Sequence, residues 1–209
     1  MSINTKKPPI KETVGAQYYC FNEMTDEGEW TEVYEPDVTK TEVVKSVKVT
    51  ENTDATDVYA SGKVYDTDNS SPGSSIEVEV IAFPVDDLAR MRGDNVDSGG
   101  LILSGGNRLR PFFGYGKTVI QKGERKRYEW YPKCKLSENT DEVKTREESF
   151  SEQTDTITIK AYAFNDNGDI KVMVDSSSKN FPEGLTEDMF FSQPILNTED
   201  LAAAVAGTR

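Results

Sequence analysis

The chain has 209 residues, with 24 Lys+Arg against 37 Asp+Glu, a formal charge of −13 and no histidine. Without His there is no Ser-His-Asp or Cys-His nucleophile, no imidazole ligand for a metal, and no side chain of the kind that most often serves as general base near neutral pH. Cys20 and Cys134 are too far apart in sequence to form a CxxC metal or redox site, so a reducing compartment without disulfides is expected.

Period-two alternation dominates the chain, which predicts a mainly β protein. Strands are expected over residues 15–21, 30–34, 43–50, 57–64 and 76–83. The Asn69-Ser70-Ser71 sequon falls between two of these and reads as a loop. A short helix is expected over 84–93. Pro84 suits its first position, Asp86 and Asp87 complement its N-terminal dipole, Arg90 and Arg92 its C-terminal end, and Gly93 the C′ site. Its apolar stripe of Val85, Leu88 and Ala89 is suited to lie on a sheet.

Strands follow at 101–103 and 112–121, the latter with Gly114 and Gly116 among Phe112, Phe113 and Tyr115, a pattern that permits a bulge or a close backbone approach. Gly116-Lys117-Thr118 resembles the end of a phosphate-binding loop, but Pro111 stands where that motif requires Gly. In the strand expected over 126–136, Tyr128, Trp130, Cys134 and Leu136 share one face; Arg127, Glu129, Tyr131, Lys133 and Lys135 form a second, basic and wet one. Pro132 removes a ladder donor, so this strand is either at an edge or bulged. Over 156–164, Ile157, Ile159, Ala161 and Ala163 share a face. Asn167-Gly168 then predicts a hairpin with the strand 170–175, because a type I′ turn needs φ > 0 twice. A calcium loop at 165–169 is disfavoured: Ala163 would occupy the first ligand position. Beyond 175 the pattern loosens into an arm, with Thr198 as N-cap of a terminal helix over 199–206. The expected organisation is a β domain over 1–175 and a C-terminal arm or extension over 176–209.

Charge is distributed unevenly. Residues 108–135 hold nine basic groups against Glu124 and Glu129, while 23–37 hold seven carboxylates and no base. The basic strand could track phosphates while Tyr128, Trp130 and Tyr131 stack on bases. Alternation, however, turns Tyr128 and Trp130 away from Arg127, Lys133 and Lys135, so stacking and phosphate contacts diverge. Pairing of Arg125, Lys126, Arg127, Lys133 and Lys135 with carboxylates such as Glu142, Glu147 and Glu148, within or between subunits, is the expected use of these groups. No catalytic, cofactor or metal site is expected. The start MSINTKKPPIKE has no apolar core of signal-peptide length, and no stretch approaches the roughly 20 apolar residues of a membrane span. The chain is therefore expected to be neither secreted by the usual route nor membrane-embedded.

From Gly123 the sequence GERKRYEWYPKCKLSENTDEVKTREESFSEQTDTITIKAYAF resembles the major tail (tail tube) proteins of long, flexible-tailed, non-contractile bacteriophages, chiefly those of Gram-positive hosts. An aromatic basic strand (Arg127, Tyr128, Trp130, Lys133) leads to Leu136-Ser137, then an acidic connection with Thr145 and Ser149, and Gln153-Thr154 opens the next strand at Ile157. The strand and helix upstream, over 76–93, and the opening strand at 15–21 also look like that family. The resemblance implies a β-sandwich or β-barrel subunit with one short flanking helix and a C-terminal arm. It also implies stacked hexameric rings in the virion tail, assembled in the host cytoplasm. A tape measure protein and tail terminator are implied partners, and double-stranded DNA passes through without specific binding. The alternative reading is a β-sandwich carbohydrate- or receptor-binding module of a virion, for which Trp30, Trp130, Tyr59 and Tyr115 would need to be exposed on one concave face.

Overall fold

A computed structural model of the chain describes residues 7–60, 63–106, 108–143, 145 and 153–207, with side chains outside 52–72. The expected fold class is the observed one: 42% of residues are in strands and 12% in helices, and the main sheet is antiparallel. In chain order the elements are β1 (Lys11–Phe21), β2 (Thr39–Thr41), β3 (Val44–Ala60), β4 (Lys63–Val80), α1 (Val85–Arg92), β5 (Asn95–Val96), β6 (Ile102–Leu103), β7 (Phe113–Gln121), β8 (Arg125–Thr140), β9 (Asp155–Ala161), β10 (Val172–Asp175), α2 (Glu187–Phe190) and α3 (Thr198–Ala206). Eight strands form one sheet in the order β2-β1-β7-β8-β9-β4-β3, with β10 also on β8; β5 and β6 form a separate small hairpin.

The sheet curls, bringing β3 towards β1. Its inner face holds the larger core, in which Tyr19, Phe21, Ile76, Val78, Phe113, Tyr115, Tyr131, Leu136, Ile157 and Ile159 are buried. Ile157, Ile159 and Ala161 share the expected face, each with no exposed surface. The outer face carries a second core, where Tyr18, Tyr128 and Trp130 meet Leu185, Phe190, Phe191 and Ile195 from the C-terminal segment. Residues 176–207 therefore fold back onto their own sheet in this chain.

Several local expectations are corrected. The segment 30–34 is a loop with a single bridge between Asn22 and Tyr34. There the Asn22 side chain replaces a ladder: its amide donates to the Thr31 and Val33 carbonyls, each at 2.8 Å, and its carbonyl accepts from Thr31 N–H at 3.1 Å. The two strands expected at 43–50 and 57–64 belong to one long hairpin, β3 with β4, whose pairing runs from Val44↔Val80 to Ala60↔Lys63. Beyond Asn52↔Gly73 neither strand pairs with a third one among the described residues, so no alternation is imposed there and the polar run ENTDAT pairs as backbone. The sequon Asn69 sits in β4 opposite Ala55, in a strand instead of a loop.

The hairpin expected at Asn167-Gly168 is not formed. β9 and β10 both lie antiparallel to β8, at Cys134–Thr140 and Arg127–Trp130 respectively, so they run in the same direction along one edge. The turn is real, with Gly168 N–H donating to Asn165 C=O at 3.1 Å, but it closes a loop bulging between two collinear strands. β8 accepts both because, at 16 residues, it is long enough to supply partners for two shorter strands in succession.

α1 ends as expected, with Gly93 at φ 74° as C-cap donating to the Ala89 and Arg90 carbonyls, but Pro84 is the N-cap, one residue before the first helical position expected for it. Its buried side is Ala89 and Met91, however, and Val85 is exposed. For α3 the capping side chain is Asn197, one residue before the expected Thr198, accepting from Asp200 N–H.

Candidate subunit-assembly site

The basic strand is β8, and the structure divides its charges between both sheet faces. Pro132 lies at a bulge in an interior strand: Tyr115 pairs with Tyr131 while Phe113 pairs with Cys134, so β8 carries one extra residue there. That residue reverses the alternation. Cys134 and Leu136 thus join Tyr131 in the inner core, while Tyr128 and Trp130 stay on the outer face. The continuous wet basic face expected from the sequence does not exist, since Glu129 and Tyr131 are buried.

On the inner face Glu129 holds two cations, Lys117 Nζ at 3.0 Å and Arg127 Nε at 2.7 Å, the latter as an ion pair without the angle of a hydrogen bond. Tyr131 Oη donates to the same carboxylate at 3.2 Å. Burial alone would raise the Glu129 carboxyl, but Lys117 and then Arg127 hold it below the usual carboxylate range. Burial pulls the Lys117 ammonium down, opposed by Glu129. Both charges persist because each is the other's replacement for water.

On the outer face Lys126 Nζ donates to Glu187 Oε2 at 2.6 Å, and Tyr18 Oη and Thr118 Oγ1 each donate to Oε1 at 2.8 Å. Burial opposes ionisation of Glu187, yet these three donors hold its carboxyl below the ordinary range. Glu187 is positioned by α2, whose N-cap Thr186 accepts from Met189 N–H. Four residues on, Phe191 lies over Gly116. A Cβ at Gly116 would come within 2.7 Å of the Phe191 ring and 3.0 Å of Trp130, so only glycine admits this approach. Gly114 plays the same part beneath Pro194, where a Cβ would sit at 3.1 Å.

The remaining sequence-predicted residues are distributed as follows. Arg125 is exposed at the start of β8. Lys133 Nζ stands 5.0 Å from the Trp30 ring centroid and 5.8 Å from that of Phe112, and Lys135 Nζ stands 3.8 Å from Phe112. Glu142 is exposed just beyond β8, and Glu147 and Glu148 lie outside the described residues. Among the described residues, the basic strand meets Glu129, in the strand itself, and Glu187, 61 residues after Lys126. Sequence reasoning missed Glu187. The signal available was Thr186 capping a short turn before the Phe190-Phe191 pair. Of the aromatics needed for a glycan platform, Trp130 and Tyr115 are buried and the Tyr59 side chain lies outside the described residues.

The site therefore lies on a curled antiparallel sheet with a buried ion-pair cluster on its inner face and the 17-residue strand β3 at one end. The family model described as "Phage tail tube protein" matches residues 24–193, most of the chain. The chain belongs to this family and is a structural component of the phage tail. Among solved structures it is similar to a chain of "Cryo-EM structure of the anti-feeding prophage (AFP) baseplate, 6-fold symmetrised", with 8% identity and a TM-score of 0.43, covering 81% of this chain and 97% of that one. None of the curated proteins compared matches it.

Proposed function

We propose that this tail protein assembles into hexameric rings that stack into a non-contractile tail tube through which viral double-stranded DNA passes. Membership of the tail tube family supports the assembly, and the observation that carries the reading is that, among the described residues, β3 ends the order of the main sheet. A long edge strand is a template for pairing, and a closed ring of copies is one way to satisfy it.

Size supports a multi-subunit conduit. If each of six subunits gives about four strands to an inner wall, about 24 strands at ~4.8 Å spacing and ~40–45° tilt enclose a circle ~50 Å across. Side chains reduce that bore to ~40 Å, ample for a duplex about 20 Å wide. Each copy carries −13, and an acidic wall repels phosphates so that DNA slides without adhering. The tape measure protein, the tail terminator and assembly in the host cytoplasm follow from the same reading.

Negative-stain images of concentrated protein test it. Annular particles or filaments with a central hole are the expected result. Dispersed monomers that bind glycans would instead favour a receptor-binding module.

A further inference from the structure

The small hairpin of β5 and β6 stands apart from the main sheet and presents apolar side chains to solvent. Leu101 is 58% exposed, Leu103 45% and Val96 48%. Its shape is held from within: Asp97 N–H donates to Leu101 C=O, Gly100 N–H donates to Asp97 C=O, and Ser104 Oγ donates to Asp94 across the base. Residues 94–106 contain two carboxylates, Asp94 and Asp97, and no basic side chain. Asp94 is turned inward, its side chain 3% exposed and 3.9 Å from Arg92, and Arg108 donates to the Leu103 carbonyl, so the hairpin is a preformed apolar knob whose exposed carboxylate is Asp97.

At the other end of β7, the chain before β1 and the β7–β8 turn enclose an open groove of about 520 Å³. Its floor is Pro8, Pro9, Ile10 and Gly123, and its rim is Lys7, Lys122 and Arg125. Ile10 is 64% exposed, and its carbonyl accepts from Lys122 N–H at 2.8 Å, which fixes the two walls together. Knob and groove are separated by the nine residues of β7, roughly 30 Å at ~3.3 Å per residue, so one chain's knob cannot fill its own groove.

We infer that the occupant of this groove is the β5–β6 hairpin of a second copy of the chain, with Leu101 and Leu103 on the Pro8–Ile10 floor and Asp97 facing Lys122 and Arg125. Each surface supplies what the other lacks, apolar for apolar and anion for cation. Two different surfaces at opposite ends of one subunit make a head-to-tail contact, which repeats from copy to copy instead of closing as a two-fold pair. The inference rests on the assembly proposed above and names the contact that joins successive subunits along the strand direction.

The test uses full-length protein in three forms: wild type, L101D/L103D, and a mixture of separately tagged L103C and I10C chains. Native Cys20 and Cys134 are buried and do not compete. Mild oxidation is expected to join the two tags through one disulfide, which requires Cα atoms within about 7 Å. The aspartate variant is expected to raise the concentration needed for assembly by roughly tenfold or more, while its circular dichroism stays that of wild type. If wild type assembles but the aspartate variant assembles equally and no mixed disulfide forms, this contact is wrong and the tube reading survives. If wild type assembles nothing at any concentration, both fall. Should the aspartate variant lose its fold, the presence or absence of the mixed disulfide decides.

Discussion

Phe191 lies flat on Tyr18, with ring centroids 3.8 Å apart and planes 5° from parallel. The C-terminal segment is thereby fastened to β1, and Phe191 also meets Tyr128, Trp130 and Phe190. An aromatic pair contributes about 0.5–1.5 kcal/mol beyond its buried area. Phe191→Ala should therefore cost about 3–5 kcal/mol, because the cavity left among four rings cannot collapse. Gly116→Ala should cost about 1–3 kcal/mol by pushing the Phe191 ring aside. Urea unfolding followed by Trp fluorescence reads both, and wild-type midpoints would contradict the clamp.

Truncation after residue 175 uncovers Tyr18, Tyr128 and Trp130, which the segment 181–206 keeps out of water. The shortened chain is expected to aggregate or bind hydrophobic dyes strongly, not to remain a soluble unassembled subunit. Size-exclusion chromatography with dye binding distinguishes the two outcomes. The residues beyond 175 thus complete a core, whatever further contact they make in the tail.

Glu187 gives the stability an acid limb. Its carboxyl is held below the ordinary value in the folded chain, so over that interval the unfolded chain binds more protons and stability rises with pH. The contribution is complete above the unfolded value of about 4.3 and is lost as pH falls through the folded one. Glu187→Gln keeps the shape but loses the Lys126 ion pair. It should lower stability at pH 7 by about 1–2 kcal/mol and flatten the profile below about pH 4.5. An undiminished acid slope in the variant would assign that slope to the other depressed carboxyls, Glu129 and Asp175, instead.

Arg125 and Arg127 should behave differently under charge reversal, though they are two residues apart. Arg127→Glu places a second carboxylate beside buried Glu129 and should cost about 3–5 kcal/mol. Arg125→Glu, at an exposed position, should change stability by no more than about 0.5 kcal/mol and act on assembly instead. Thermal melts paired with sedimentation separate the two effects, and equal melts would remove the inner-face assignment.

Much of the secondary structure was legible in the sequence because its causes are local. The cap residues of α1, the alternation of Ile157 and Ile159, and the glycines of β7 each carry their physical reason within a few positions. Two features were beyond that range. The bulge beside Pro132 could be anticipated, but its effect, returning Cys134 and Leu136 to the inner core while Trp130 faces outwards, depends on what lies against each face. Likewise Asn165–Asp169 turns as its residues require, yet whether the flanking strands pair with each other or both with β8 depends on the free edge that β8 offers.

By itself the sequence determined a mainly β chain without imidazole chemistry, with short helices near 84–93 and 199–206 and an uneven charge, since composition and periodicity follow from the residues alone. Only the tertiary structure decided which of 37 acidic residues answer the basic strand. Carboxylates are interchangeable in composition; Glu187 is brought to Lys126 by a distant segment, and Glu129 is desolvated between Lys117 and Arg127 by the core packed on the inner face.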